Sequence, residues 1–217
     1  MYTRFCLVLL LSLTAPFAFS EAASPLAERF VADEHYEVIE IPVGTRDESK
    51  VEVVEMFSYA CVHCFNFDPY VKAWQTKQTD GVDFHLIPAI FNPDWELLAQ
   101  AYYTADALGA VDAVHERMFE GIHTKNEDLR QPDLLAPLFV ELAGVSEDDF
   151  NSAYGSFSVR SRVEQAKAKV RAYRITGVPT IIVNGKYRVD GRMAGGNAAM
   201  LEVVDFLVTK ERSGQTP

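Results

Sequence analysis

A chain of 217 residues with 48% hydrophobic content is long enough for one large domain, or for a domain carrying an inserted one, with a substantial core. Its formal net charge of −11, with no run of lysine or arginine anywhere, argues against a phosphate-backbone partner and sets nucleic acid aside. With only 3 cysteines, a four-cysteine zinc site is impossible.

The first 20 residues read as a secretory signal: Arg4, the apolar run Phe5 to Phe19, and small residues at Ala18 and Ser20 suited to cleavage after Ser20 or after Ala22. That run is too short for a spanning helix. It carries Cys6, so the mature chain keeps only Cys61 and Cys64. Tyr36 to Ile41 alternates as a strand ended by Pro42 and Gly44. Val51 to Tyr59 follows as a more continuously apolar strand, of the kind buried on both faces at the centre of a sheet. Glu55 interrupts it, and a carboxylate there must be paired, hydrogen-bonded or protonated.

From Val62 the pattern turns helical, with Phe65, Phe67, Tyr70, Val71 and Trp74 as its apolar surface and Pro69 predicting a kink. Asp80-Gly81 turns into a third strand, Val82 to Ile87, stopped by Pro88. Residues 94–158 show only helical segments: Trp95 to Leu108 closed by Gly109, Val111 to Ile122, Pro132 to Leu142 closed by Gly144, and a short one after Ser146 with Asp149 placed for a capping box. Val159 to Tyr173 is a basic amphipathic helix expected to pack on the sheet. Thr180 to Val183, Asn184-Gly185 and Lys186 to Val189 form a hairpin with a two-residue turn, and Asn197 caps a last helix to Thr209. The order predicts an α/β protein with mixed strand directions, in which residues 36–93 and 159–211 build one domain around the helical insertion.

The chemistry sits at Cys61-Val62-His63-Cys64. Two thiols two residues apart at a helix start can close a small disulfide, and unpaired N–H groups there favour the Cys61 thiolate. Haem attachment needs histidine after the second cysteine, where Phe65 stands. No second set of ligands points to a metal. A structural disulfide is the plain alternative, but so short a loop constrains the unfolded chain little. Two cysteines close together in an exported chain are better explained as a redox tool than as a staple. His35, His115 and His123 read as solvated or core residues.

Three stretches resemble the thioredoxin-like periplasmic thiol:disulfide interchange proteins of the DsbA type: Val53 to Cys64, Ser156 to Ser161, and Gly177-Val178-Pro179-Thr180 through Tyr187. The resemblance implies a thioredoxin-like fold with an inserted all-helical domain, a cis bond before Pro179 packed against the disulfide, and a substrate strand paired on Val178 beside Val62 and Pro179. It implies Cys61, Cys64 and His63 as the redox site, with His63 tuning the thiolate and Glu55 a proton relay for Cys64. It further implies a monomer without a cofactor, reduced exported polypeptides as substrates, and a quinone-linked, DsbB-like membrane protein as reoxidant. Two departures stand out. Val62 replaces the family's common proline between the cysteines. The strand beside Glu55 offers His85 where relatives have a lysine. The competing expectations are a disulfide isomerase or reductase of the same fold, and a thioredoxin-like binding module without turnover.

Overall fold

The seven residues Val51–Phe57 form strand β2, every one of them buried, and the rest of the molecule is layered on it. The computed structural model describes residues 29–78 and 80–214, so the expected signal segment and Cys6 lie outside the described residues. A short strand β1 (Glu37–Val38) precedes β2. Helix α1 (Val62–Gln75) follows it, then β3 (Val82–Pro88). Five helices come next: α2 (Pro93–Ala107), α3 (Val111–His123), α4 (Pro132–Ala143), α5 (Glu147–Tyr154) and α6 (Phe157–Ala172). The chain closes with β4 (Thr180–Val183), β5 (Tyr187–Asp190), α7 (Gly191–Ala194) and α8 (Asn197–Arg212).

The sheet order is β1-β5-β4-β2-β3, with β2 parallel to β3 and every other pair antiparallel. Because side chains alternate along a strand, β2 feeds two cores. Val53 joins Phe67, Trp74, Ile181 and Leu207 on the side covered by α1 and α8. Val54 and Met56 join Ile182, Phe119 and Val163 on the side of the five helices. Helix α6, with Val159, Val163, Ala166 and Val170 inward, packs chiefly along α2 and reaches the sheet through that second core. This is a thioredoxin-like α/β fold interrupted by an all-helical insertion.

Local signals explain most boundaries. The Asn92 side chain accepts the Trp95 N–H at 3.0 Å and Pro93 opens α2. Ser146 and Ser156 accept the N–H groups of Asp149 and Val159, each at 3.1 Å, so α6 starts two residues before its expected position. Gly109 and Gly144 follow α2 and α4 in left-handed conformation, both at φ +65°. Helix α1 runs through Pro69 without interruption.

Three expectations need correction. The first strand is two residues long, not six, because beyond Val38 the chain meets the hairpin only through isolated bonds: Ile39 N–H to the Lys186 carbonyl and Val43 N–H to that of Gly185. Asn197 does not cap α8; Gly196 at φ +128° is the N-cap, and Asn197 donates to the Asn66 carbonyl at 3.5 Å. Helix α7 was not foreseen. It is set by Asp190, whose carboxylate accepts from both Arg192 and Met193 N–H at 2.9 Å.

The Asn184-Gly185 turn has φ +51° and +64°, the primed geometry a two-residue hairpin requires. A Cβ on Gly185 would lie 1.9 Å from the Val43 carbonyl oxygen. Gly185→Ala therefore combines a left-handed backbone penalty with a backbone collision, and should cost about 2 kcal/mol or more. A melting scan should show a fall of about 4–8 °C; an unchanged midpoint would contradict the close approach.

Candidate functional site

At the end of β2 the chain makes a tight turn before α1. Ala60 N–H donates to the Ser58 hydroxyl at 3.2 Å and Cys61 N–H to the Ser58 carbonyl at 3.0 Å. Cys61 is thereby delivered to the N-cap of α1 in extended conformation, with φ −96° and ψ 112°. Its sulfur is partly exposed, while Cys64, one turn in, is fully buried. Both are thiols in this structure.

The two sulfurs have opposite surroundings. The Cys61 thiol is lowered from its ordinary 9.0 to about 6, first by the Cys64 side chain donating to it and then by the N–H groups of Cys64 and His63 and the His63 imidazole, against burial, which raises it. Those N–H groups exert their pull without closing a full cap hydrogen bond. Cys64 is raised, by burial first, by its bond to Cys61, and by the nearby Glu55 charge. Among these influences the Cys64 side chain comes first and the His63 imidazole last.

The bond between Val178 and Pro179 is cis. The Val178 carbonyl lies 3.4 Å from the Cys61 sulfur and accepts its proton in the thiol form. His63, Gly177, Val178, Pro179, Arg188 and Arg192 line a groove of about 490 Å³ beside the cysteines. Val62, at the exposed start of α1, is 48% accessible.

Glu55 is only 4% exposed, and its carboxyl is pushed well above the usual carboxylate range by burial, then by the charges of Asp68 and Cys61. It opens on a cleft of about 420 Å³ shared with Asp68, Lys72, Phe84 and His115. The lysine in that cleft comes from α1 and is already engaged by Asp68 at 2.9 Å and Glu116 at 3.1 Å. His85 lines the same cleft, with Glu52 as its carboxylate neighbour. Glu55 pairs in register with Leu86, and His85, one position along, turns toward Glu52 at 3.9 Å.

Among the described residues, Glu52, Asp83 and His85 form the one group with metal-donor spacing. Both Asp83 oxygens are held by the Arg46 guanidinium at 2.5 Å, which makes the group an ion-pair cluster at the sheet edge.

Sequence reasoning missed the surroundings of Tyr59. Its hydroxyl meets His115 Nδ1 at 2.9 Å, and its carbonyl meets His123 Nε2 at 2.8 Å. Both histidines lie on α3, eight residues apart and so on one face, but that spacing alone did not single them out.

Comparison with known proteins accords with this architecture. Residues 74–208 match the DSBA-like thioredoxin domain family; the matched range begins downstream of the cysteine pair. The thiol:disulfide interchange protein DsbA of Azotobacter vinelandii is 41% identical over 179 residues, 82% of this chain and 83% of the relative. That of Pseudomonas aeruginosa is 38% identical over 187 residues, 86% of this chain and 88% of the relative. Its crystal structure superposes with a TM-score of 0.82 at 37% identity, covering 87% of this chain and 97% of that one. The oxidoreductase DsbA from Xylella fastidiosa gives 0.78 at 37% identity, covering 84% and 98%.

Proposed function

The chain belongs to the DsbA family of thiol:disulfide oxidoreductases, and on that premise we propose that it donates a Cys61–Cys64 disulfide to reduced, newly exported polypeptides in the periplasm. The observation that carries this reading is the asymmetry of the pair: an accessible Cys61 lowered to about 6 beside a buried Cys64 pushed upward. A disulfide passes on readily when the reduced form holds one sulfur comfortably as its anion. For that trend the DsbA system is itself the general example.

A substrate thiolate attacks the Cys61 sulfur, a mixed disulfide forms, and Cys64 leaves as an anion that takes up a proton. A second substrate thiolate attacks the substrate sulfur of the mixed disulfide and expels Cys61 as a thiolate. The substrate has lost two electrons and gained a disulfide; the enzyme holds the pair of thiols. Cys61, with its low pKa, is the good leaving group in the second step. In this reading Glu55, whose carboxyl burial pushes well above the usual range, supplies the proton to Cys64. The groove lined by Val178 and Pro179, together with the exposed Val62, takes an extended segment of substrate by strand pairing. Residues 94–158 act as the helical cover over the sheet, the chain works as a monomer, and a quinone-linked membrane protein of the DsbB kind restores the disulfide. No helix among the described residues is long and apolar enough to cross a membrane.

Oxidised protein mixed with a reduced, unfolded polypeptide should transfer one disulfide per molecule, and its equilibrium with glutathione should lie toward the dithiol. A binding module would transfer none, and a reductase would hold its disulfide against glutathione; either result ends the proposal. Glu55→Gln should slow the step that protonates Cys64 by about tenfold or more; unaltered transfer and reoxidation rates remove Glu55 from the mechanism.

A further inference from the structure

Two imidazoles of one helix close on a single residue of the active-site turn. His115 is buried among Phe57, Tyr59 and Phe119. Its Nε2 lies 3.3 Å from Asp68 Oδ1 and its Nδ1 lies 2.9 Å from the Tyr59 hydroxyl. In the neutral ring the carboxylate on one side holds the proton on Nε2, so Nδ1 accepts and the Tyr59 O–H donates. At the other end of the same residue, the Tyr59 carbonyl can only accept, which puts the proton of His123 on Nε2. The His123 ring stacks on Phe65, with centroids 5.4 Å apart and planes 13° from parallel. Tyr59 is thus held by side chain and main chain at once, two residues before Cys61.

An aromatic pocket of this kind would pack equally well around phenylalanine and leucine, without the desolvation that a Tyr–His–Asp chain costs. What the polar chain adds is direction, because hydrogen bonds fix the rotation of the turn and apolar packing does not. We propose that His115 and His123 are positioning residues for Cys61: α3 grips Tyr59 by its hydroxyl and its carbonyl, and so sets where the turn delivers the Cys61 sulfur on the first turn of α1. The inference rests on the function proposed above, in which Cys61 is the reactive sulfur. Helix α3 belongs to the helical insertion, so the grip also makes the insertion a working part of the site.

The test uses the full protein, with three readouts: the pH midpoint of thiolate absorbance, the rate of disulfide transfer to a reduced peptide, and the melting temperature. His123→Leu should raise the midpoint by about half a unit and slow transfer severalfold. His123→Gln, whose amide nitrogen can occupy the place of Nε2, should restore both. Tyr59→Phe and His115→Leu should shift both readouts equally, and the double variant should shift them no further than either alone. A His123→Leu protein with unmoved midpoint and rate overturns the inference whatever its melting temperature, as does failure of the glutamine to rescue or strict additivity of the pair. If His123→Leu does not fold, Tyr59→Phe, which keeps the ring, decides by the same readouts. A wild-type midpoint like that of free cysteine overturns the reading of Cys61 and this inference with it. A wild-type midpoint near 6 with unmoved variants overturns this inference alone.

Discussion

Cys64→Ala protein, incubated with an unfolded polypeptide that carries a disulfide, should accumulate a covalent complex through Cys61 while its catalytic turnover falls to background. The Cys61 thiolate attacks, one substrate sulfur leaves as a thiolate and a mixed disulfide forms, but no Cys64 sulfur remains to expel the bound chain. A non-reducing gel reads the complex directly, and its absence would end the assignment of Cys61 as the exchanging sulfur. The same variant removes the largest influence on Cys61, the hydrogen bond from the Cys64 side chain. Its thiolate midpoint should therefore move upward from about 6 by more than that of His63→Ser, which removes only a weaker contributor. If the His63 variant moved further, the ordering of causes drawn from the geometry would be wrong.

The second large effect is a pH-dependent gap in stability between the reduced and oxidised proteins. The Cys61 thiol titrates near 6 in the folded protein, against an ordinary 9.0 when exposed in the unfolded chain. A lowered acid contributes stability that is complete above 9.0 and is lost as the pH falls through 6, so the reduced form should gain on the oxidised form between those values. Cys64 works the other way. Because burial raises it, it stays neutral in the fold while the unfolded chain ionises, and it erodes the gain above the ordinary thiol range. The full difference for Cys61 corresponds to about 4 kcal/mol, reduced to roughly 2 kcal/mol by solvent screening at a half-buried sulfur. Melting temperatures of the two redox forms, measured from pH 5.5 to 9, should diverge as the pH rises. Parallel curves across that window would show that the fold does not stabilise the thiolate.

Where a signal is carried by neighbouring residues, the chain announced its structure. The unbroken apolar run from Val51 marked the central strand, and Asn184-Gly185 marked the hairpin. Gly109, Gly144 and Ser146 marked helix ends, because left-handed backbone and side-chain caps are local requirements. The cysteine pair at a helix start could be read in the same way. Between Asp190 and Asn197 two local signals compete. Asp190 captured the chain into α7 before the Asn197 signal could act, and Gly196, next to it, took the cap.

The sequence by itself determined the kind of chemistry, since only Cys61 and Cys64 can exchange disulfides among the described residues, and it determined the succession of the longer strands and helices that carries them. Tertiary structure alone decided which groups hold the Cys61 anion, that His85 has Glu52 for its carboxylate neighbour, and that two histidines 56 and 64 residues beyond Tyr59 close on it. The reason is the range of the forces involved. Backbone propensity and periodicity act over a few residues and leave a trace in order and spacing, whereas hydrogen bonds and charges act over a few ångströms between groups that only packing brings together.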